Sequence, residues 1–506
     1  MYLRSKKALA NVITSLLLQF TLILSGFIIP WLIIRTYGSS VNGVIASITQ
    51  FLAFFSLIEG GIGGVVRAAL YKPLARNDVI TVSRTLKSAE KFFKNISYVF
   101  IAFLLLMAIG YPYLVSYGFN KTFIFTLVII LGFRTISQYL FGMTYQILLQ
   151  ADQKSYLTSL LHIIAVVLST IIATILINLG ASIHIVQLFS AFIFVLKPIA
   201  LHIYVKRKYK IINDATEDKS ALKQKWDGLG HHIAYFLHNR TDIVLLTLFT
   251  NVIEVSVYSI YLMVATGIRN LTTTFASGIE AVFGDMIAKG EKESLENNFN
   301  IFEFLFFLLT TVLFTSAALL ILSFVSVYTK GVTDANYFRP LFAYILLAAE
   351  AAYCIRLPYH SVVIAAGHFK QTRNGAFLEA TINILFSLAL VNYFGIIGVA
   401  FGTLCAVSFR TIQYALYLSK NILNRSILKF IKRILVNSSA IVITVFISRL
   451  IPLTVVDNYF QWVVYACKIS AITFFVTIFI NYIFYRKDMS GLINIFKKML
   501  KKKINF

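Results

Sequence analysis

The stretch HHIAYFLHNRTDIVLLTLFTNVIEVSVYSIYLMVATGIRNLTTTFASGIEAVFGDMIA, residues 231–288, decides the fold class. It contains two apolar segments, 231–250 and 255–284, separated by only a few polar residues. Polar side chains recur along the first segment at helical spacing, at His231, Tyr235, His238, Asn239 and Asp242. On a helix they form one stripe along an apolar rod. Because lipid cannot solvate such a stripe, it must face protein or a water-filled cavity.

The composition of the chain excludes a soluble protein. Of its 506 residues, 58% are hydrophobic and 13% are charged, and the mean hydropathy is +0.79. Soluble domains carry roughly 25% charged residues, about twice this fraction. The net charge of +25 does not indicate nucleic acid, because the basic residues concentrate in alternate loops. The three cysteines lie in apolar stretches and offer neither a disulfide framework nor a metal site.

Long apolar stretches recur along the whole chain. A spanning helix needs about 20 apolar residues, and fourteen stretches meet this length. We therefore predict an all-α polytopic membrane protein with about 14 transmembrane helices and no soluble catalytic domain. The predicted spans are 12–34, 43–66, 95–117, 122–149, 155–178, 183–205, 231–250, 256–284, 300–328, 339–365, 375–393, 396–418, 434–455 and 462–485.

The distribution of basic residues predicts the topology. With the N-terminus inside, 34 of the 46 Lys and Arg residues fall in inside segments and only 5 in outside segments. Because cytoplasmic loops retain positive charge, both termini are predicted to be cytoplasmic. The tail places Leu492, Ile495, Phe496, Met499 and Leu500 on one helical face. This pattern is typical of a helix lying on anionic lipid. A tail whose basic residues only reflect its cytoplasmic location explains the pattern equally well.

The chain also contains an internal repeat. Gly118 and Gly331 follow spans 3 and 9, and Gly180 and Gly395 follow spans 5 and 11, at an offset of about 214 residues. Six spans per unit is an even number, so the two units share one orientation, as in the parallel repeats of secondary transporters. The predicted organisation is an N-lobe (1–205, spans 1–6), a cytoplasmic linker (206–230), a C-lobe (231–418, spans 7–12), an appended helix pair (419–485, spans 13–14) and a basic cytoplasmic amphipathic tail (486–506).

Twelve of the charged residues inside the predicted spans are the candidate functional residues. They are Glu59, Arg134, Lys197, Arg240, Asp242, Arg269, Glu280, Glu350, Arg356, Glu379, Arg410 and Lys468. Since a charge at this depth costs on the order of a few kcal/mol, each must form an ion pair or face a cavity, and both interpretations stay open for single residues. Basic groups outnumber acids, which favours a cavity that attracts an anion, and the arginine fork matches phosphate oxygens.

Several motifs resemble those of polysaccharide repeat-unit flippases of the O-antigen and capsule type. These belong to the multidrug/oligosaccharidyl-lipid/polysaccharide exporter superfamily. The resemblance covers nearly the whole chain, with Glu59 where aspartate is common and Ser256 where glycine is common. The residues that carry it are Tyr37-Gly38 with Gly43, Leu57 to Gly63, Asp242 with Glu254 to Ser259, Ala365-Ala366-Gly367 with Lys370, and Gly395 to Thr403 leading to Arg410.

The resemblance implies a two-lobed helical bundle that works by alternating access. The implied cargo is an undecaprenyl-diphosphate-linked oligosaccharide, moved from the inner to the outer leaflet of the bacterial cytoplasmic membrane for surface polysaccharide synthesis. No cofactor is expected, and a proton or a sodium gradient is left open as the energy source. Expected partners are the lipid-linked glycan, membrane lipid and other polysaccharide assembly proteins, with no nucleic acid. The substrate-binding candidates are Arg134, Arg269, Arg356, Arg410, His238 and Asn239, and the ion-coupling candidates are Asp242, Glu350 and Glu59.

Three other functions remain to be weighed. A drug/cation antiporter of the same superfamily predicts a mainly acidic cavity and about twelve spans. A flippase for the lipid-linked peptidoglycan precursor predicts fourteen spans with cavity cations, and the sequence does not exclude it. A membrane enzyme such as a glycan polymerase needs a large outside loop, whereas the longest outside connection here is 329–338.

Overall fold

The computed structural model describes residues 2–55, 62–115, 118–212, 216, 241–277, 279–450 and 456–504, and all regular structure in these ranges is helical. The all-α class is confirmed. The first half contains α1 (Tyr2–Tyr37), α2 (Ser39–Ala53), α3 (Ile62–Ala75), α4 (Val79–Leu114), α5 (Lys121–Ser137), a π-helical segment (Gln138–Gly142), α6 (Met143–Ala151), α7 (Ser155–Asn178), α8 (Ile183–Lys208) and α9 (241–249).

The second half continues with nine helices in the described residues. They are α10 (Val252–Ser277), α11 (Glu280–Ala288), α12 (Lys292–Tyr328), α13 (Pro340–Ala365), α14 (Phe369–Phe394), α15 (Ile396–Asn421), α16 (Leu428–Arg449), α17 (Tyr459–Phe484) and α18 (Arg486–Ile504).

Twelve of the described helices are long and apolar enough to cross a membrane. They correspond to every predicted span except the second and the seventh. The predicted span 43–66 is covered by α2 and α3, with residues 56–61 between them outside the described residues. The predicted span 231–250 is described only as α9. The chain is therefore a polytopic membrane protein, as predicted.

Helices extend beyond the apolar stretches that predicted them. The third span was predicted from residue 95, but α4 begins at Val79. Asp78 caps this helix by accepting a hydrogen bond from the Thr81 backbone N–H at 3.0 Å. Hydropathy marks only the part of a helix that lies in hydrocarbon, so the predicted span begins later than the helix, whose first turns fall in the basic segment 67–94 that the sequence predicts to be partly helical.

The turns of the predicted repeat have matching backbone geometry. Gly118 and Gly331 have φ values of 62° and 87°, and Gly180 and Gly395 have values of 75° and 54°. Glycine adopts this left-handed region without the steric cost of a Cβ atom. The helices after the second pair of turns, α8 and α15, are each 26 residues long.

The chain divides into two compact units, Met1–Val257 and Tyr258–Phe506. In the first unit, α2 contacts α9 and the start of α10. The Gly43 backbone lies so close to α10 that a Cβ atom would be 1.7 Å from the Val252 carbonyl oxygen. The Ser47 hydroxyl lies 2.6 Å from that of Thr247. Most of the predicted linker 206–230 lies outside the described residues, so the predicted lobe bounds stay predictions.

In the second unit, the appended helices α16 and α17 pack on α12 through polar contacts. Thr311 donates to Asn437 at 3.1 Å, and Asn481 donates to the same amide oxygen at 3.1 Å. Such hydrogen bonds hold helices together where lipid removes the hydrophobic drive for association. The start of the tail helix α18 also docks here. Leu492, on the predicted apolar face of the tail, is buried in one cluster with Phe304, because the first turns of α18 pack on α12.

A charged cluster fastens the turn between α6 and α7. Asp152 accepts a hydrogen bond from the Tyr209 hydroxyl at 2.5 Å and pairs with Lys154 at 2.7 Å and with Lys7 at 3.5 Å. Burial raises the pKa of the Asp152 carboxyl, but the hydrogen bonds from Lys154 and Tyr209 outweigh it, so the net pKa lies below its ordinary value. The cluster therefore connects α1 to the end of α6 and to the end of α8.

Replacing Asp152 with Asn should destabilise the protein at neutral pH and have little effect in acid. A carboxyl with a depressed folded pKa contributes stability above its unfolded pKa, and this contribution is lost as the pH falls through the folded value. The difference in melting temperature between the variant and the parent should therefore close below about pH 4. Asp285→Asn, at an exposed pair with Lys289, is the control and should change little at either pH. A pH-independent effect of Asp152→Asn would contradict the prediction.

Candidate functional site

The second unit contains two linked groups of intramembrane charges. Arg269 of α10 donates from Nη1 to both carboxylate oxygens of Glu350 on α13, at 3.1 Å each. Arg356, on the same helix as Glu350, donates to Glu379 of α14 at 2.6 Å. The second oxygen of Glu379 lies 3.6 Å from Nε of Arg410 on α15. Three arginines thus share two glutamates across four helices.

Aromatic rings connect these groups. The Tyr353 ring lies 5.2 Å from the Arg269 guanidinium and 4.4 Å from that of Arg356. Tyr414 stacks on Arg410 at 4.2 Å and accepts a hydrogen bond from it at 2.9 Å. Ring faces attract cations and also shield them from lipid. The aromatic rings therefore help the carboxylates to fix the position of each arginine.

Because Gly375 has no side chain, the Arg410 guanidinium can occupy the space beside it. A Cβ atom at this glycine would lie 2.1 Å from Nη1 of Arg410 and 1.9 Å from the Gln413 amide oxygen. Arg410 is 4% exposed and donates from the same nitrogen to the Thr372 carbonyl at 2.9 Å. Because three partners hold the guanidinium, it cannot retreat without losing hydrogen bonds. A side chain at residue 375 would thus displace the charge.

We expect Gly375→Ala to lower the stability of the protein by about 1–3 kcal/mol, since it overpacks a buried polar contact. Thermal unfolding of the purified protein measures the effect. Gly267→Ala is the matched control, because a Cβ atom there meets nothing within 4 Å. Alanine in a helix interior is favoured over glycine by about 1 kcal/mol, so the control should be neutral or stabilising. Equal melting temperatures for the two variants would contradict the prediction.

The first unit contains a cavity of about 480 Å³ lined by residues of α1, α2, α5, α7 and α8. Arg134 of α5 contributes its one charged side chain, and Ser25, Thr49, Gln187 and Ser190 contribute polar groups. The Arg134 guanidinium stacks on the Phe194 ring, 3.5 Å from its centroid. No aspartate or glutamate lines this cavity, and in the described part of the chain Arg134 forms no ion pair. Its charge is therefore available to a ligand.

Further polar groups surround the same region. Lys197 of α8 donates to the Gln146 amide oxygen at 3.3 Å, and Gln138 donates to that oxygen at 3.1 Å. Lys197 lies within electrostatic range of Arg134. Gln138 begins the π-helical segment that directly follows α5, and such segments are frequent at functional sites. The first unit thus carries two cations close together, Lys197 on α8 and Arg134 on α5, which the π-helical segment continues.

The structure separates the predicted site residues. It joins Arg269, Arg356, Arg410 and Glu350 in the second unit and places Arg134 in the first. Asp242 is buried on α9, whereas His238, Asn239 and Glu59 lie outside the described residues. The functional roles of these side chains stay predictions.

A third charged network escaped the sequence interpretation. Glu303 of α12 is fully buried and accepts hydrogen bonds from Arg425, Arg433 and Tyr359. Arg433 also donates to Asp488 of α18 at 2.9 Å. The sequence analysis assigned the two arginines to a cytoplasmic loop. Basic residues are expected in such a loop, so the two arginines were not recognised as partners of a buried carboxylate. The one available signal was a glutamate inside the predicted span 300–328.

Comparison with solved structures identifies the fold. Lipid II flippase MurJ, in an inward closed conformation, superposes with a TM-score of 0.67 at 16% identity, over 96% of this chain and 99% of that chain. This chain shares the fold of that protein. An inward-facing multidrug resistance MATE family transporter of the MOP superfamily gives 0.60 at 12% identity, over 80% and 97%. A Vibrio cholerae MATE transporter gives 0.54 at 14% identity, over 84% and 97%.

The likeness concerns the fold alone at these identities. No protein-family model and no curated protein matches the sequence. All three structures are transporters rather than enzymes, in agreement with the absence of a predicted catalytic domain. The similarity to the polysaccharide branch in particular stays a prediction.

Proposed function

We propose that this protein flips undecaprenyl-diphosphate-linked oligosaccharide repeat units from the cytoplasmic to the outer leaflet of the bacterial cytoplasmic membrane. Sugars and a diphosphate cannot cross hydrocarbon, whereas the polyprenyl tail can stay within it. A protein with this fold would carry the polar head through the membrane by alternating access. The proposal includes cytoplasmic termini, partner proteins of polysaccharide assembly, and a proton or sodium gradient as the energy source.

The observation that carries the proposal is the N-lobe cavity around Arg134. Among the described residues, its lining contains the Arg134 guanidinium, no carboxylate, and several hydroxyl and amide groups. Arginine binds phosphate oxygens through two parallel hydrogen bonds. The serine, threonine and glutamine side chains can hydrogen-bond sugar hydroxyls. This donor set suits an anionic glycan better than a drug cation, for which an acidic lining would be needed.

Two groups of predicted residues receive roles in the proposal. Arg134, Arg269, Arg356 and Arg410, with His238 and Asn239, are proposed to bind the diphosphate or the sugars. Asp242, Glu350 and Glu59 are proposed to couple an ion, since carboxylates change charge when they bind a proton or sodium.

A second candidate is flipping of the lipid-linked peptidoglycan precursor. The observation in its favour is the superposition with lipid II flippase MurJ over nearly the full length of both chains. The two candidates share a polyprenyl diphosphate and differ in the glycan, so the same cavity chemistry serves either.

Deletion of the gene tests both candidates. The proposal expects viable cells that lose the surface polysaccharide and accumulate its lipid-linked repeat unit on the cytoplasmic side. Accumulation of the peptidoglycan precursor with cell lysis would favour the second candidate. Normal levels of both lipid-linked intermediates and an intact surface polymer would contradict the transport of any polyprenyl-linked glycan. Restoration by a reintroduced parent gene, but not by the gene for Arg134→Ala, would show that the phenotype depends on the cavity.

A further inference from the structure

The first unit places two intramembrane cations near each other and neutralises neither. In the described part of the chain, the Arg134 guanidinium stacks on the Phe194 ring and forms no hydrogen bond and no ion pair. Lys197 donates one hydrogen bond, to the Gln146 amide oxygen at 3.3 Å, and pairs with no carboxylate among the described residues. By contrast, each of the three arginines in the charged groups of the second unit approaches a glutamate. Since like charges repel strongly where the dielectric constant is low, the pair in the first unit favours an anionic ligand.

The packing of α5 on α8 sets the two cations on neighbouring helical turns. On α8, Lys197 follows Phe194 by three residues, so both side chains lie on one face. Gln138 follows Arg134 by four residues and lies on the same face of its helix. Gln138 donates at 3.1 Å to the Gln146 oxygen that also accepts from Lys197. The contact between Arg134 and Phe194 is thus followed, one turn along both helices, by the polar contact that holds Lys197.

Gly142 allows the π-helical segment to come close to α8 beside Lys197. A Cβ atom at this glycine would lie 2.8 Å from the Pro198 Cβ atom and 2.9 Å from the Gln138 amide oxygen. An amide has no net charge, so Gln146 orients the Lys197 ammonium without neutralising it. An ammonium has three N–H donors, and within the described ranges only one of them is used. The other two are available to a ligand.

The charge of this pair matches that of a substituted diphosphate. A diphosphate that joins a prenyl chain to a sugar carries one negative charge on each phosphate, whereas a single phosphodiester carries only one charge. Arg134 and Phe194 both line the cavity of about 480 Å³, and Lys197 lies one turn beyond Phe194. A head group in the cavity can therefore meet Arg134 with one phosphate and Lys197 with the adjacent phosphate.

We propose that Arg134 and Lys197 together form a diphosphate site and that Lys197 selects a diphosphate over a monophosphate. The Arg134 fork binds one phosphate through parallel hydrogen bonds, and the Lys197 ammonium binds the other as a point charge. No covalent bond forms or breaks. The inference rests on the proposed function and specifies which part of the head group the first unit recognises.

The test compares two probes that differ by one phosphate. They are a short-chain prenyl diphosphate bearing one sugar and the corresponding prenyl monophosphate bearing the same sugar. Calorimetry measures the binding of each probe to the full-length protein in nanodiscs of zwitterionic lipid. We expect the parent protein to bind the diphosphate probe roughly 10- to 100-fold more tightly, which is the effect of one charge-assisted hydrogen bond. Added phosphatidylglycerol, which has one phosphodiester, should compete no better than the monophosphate probe.

Four variants assign the preference to Lys197. Lys197→Gln should weaken binding of the diphosphate probe alone, so that the two affinities become similar, whereas Arg134→Ala should weaken binding of both probes. Lys197→Arg keeps the charge and should keep the preference. Lys206→Gln removes an exposed lysine in the last turn of α8 and should behave as the parent protein.

The expected stability of the Lys197 variants differs from that of variants in an ion pair. Lys197→Gln removes one of two repelling charges and leaves no carboxylate unpaired in the described residues, so its melting temperature should equal or exceed that of the parent. Should this variant nevertheless fail to fold, Lys197→Met, which is neutral and of similar length, is measured with the same expected result.

The outcomes separate this inference from the proposed function. Equal affinities of the parent protein for the two probes would overturn the two-cation site and leave the flippase proposal standing. An unchanged preference in Lys197→Gln, or competition by phosphatidylglycerol as strong as that of the diphosphate probe, would do the same. Binding of neither probe by the parent protein would contradict the proposed function itself.

Discussion

Replacement of Arg134 by alanine is expected to abolish translocation of the lipid-linked glycan while the protein stays folded in the membrane. The guanidinium is the one charge in the lining of the N-lobe cavity. Loss of a charge-assisted hydrogen bond costs about 1.5–3 kcal/mol, which corresponds to roughly 10- to 100-fold weaker binding of the diphosphate. Because no carboxylate pairs with Arg134 in the described residues, the substitution leaves no opposite charge unpaired.

The expected loss of stability is small. It distinguishes Arg134 from an arginine in a buried ion pair, whose replacement would leave a carboxylate without its partner. Truncation removes a cation–π contact with Phe194, worth about 0.5–1 kcal/mol. A fluorescent lipid-linked oligosaccharide in proteoliposomes measures translocation, and thermal unfolding measures stability.

Arg134→Lys keeps the charge without the fork, and we expect it to give intermediate transport. Arg84→Ala, at an exposed residue of α4 outside the cavity, is the control and should transport normally. Normal transport by Arg134→Ala would remove this residue from the substrate site.

Replacement of Glu303 by alanine is expected to be the most destabilising single change in the second unit. It leaves Arg425 and Arg433, which are 7% and 4% exposed, without their shared carboxylate. Breaking a buried ion pair in this way costs about 3–5 kcal/mol. The same substitution removes the acceptor of the Tyr359 hydroxyl. We therefore expect low abundance in the membrane and a large fall in melting temperature.

Two comparisons test this explanation. Glu296→Ala breaks an exposed pair with Lys429 on the same helices and should cost at most about 1 kcal/mol. Combining Glu303→Gln with Arg425→Gln removes a negative and a positive charge together, so the double variant should be less destabilised than the sum of the single variants. Additive losses, or a Glu303→Ala protein as stable as the parent, would show that the network contributes little.

Stability and transport are thus expected to depend on different charges. Glu303 and its arginines connect α12 to α16 and α18, whereas Arg134 lines a cavity. Both kinds of charge lie within or next to apolar helices, and their residue types are alike. Only their neighbours distinguish a structural ion pair from a binding group.

The sequence predicted the helices well because a membrane imposes a local rule. A span must be long, apolar and internally hydrogen-bonded wherever it occurs, so each can be recognised without its neighbours. The described helices correspond to twelve of the fourteen predicted spans. The bounds of the spans do not give the bounds of the helices where these continue beyond hydrocarbon, as at the start of α4, because no hydropathy signal marks such turns.

The candidate site was predictable only as a set of residues. The cost of an intramembrane charge singled out Arg134, Arg269, Glu350, Arg356 and Arg410 from the sequence. Their pairing was not predictable, since Glu350 lies 81 residues from its partner Arg269. The Glu303 network was missed altogether, because Arg425 and Arg433 met the expectation for a basic loop.

The sequence by itself determined that this chain is an all-helical membrane protein, since hydropathy is a property of short segments, whereas the internal repeat stays a prediction. The tertiary structure decided which charges are neutralised and which face a cavity. Electrostatic energy depends on the distance between side chains and on their burial, and distant segments acquire both only when the helices pack.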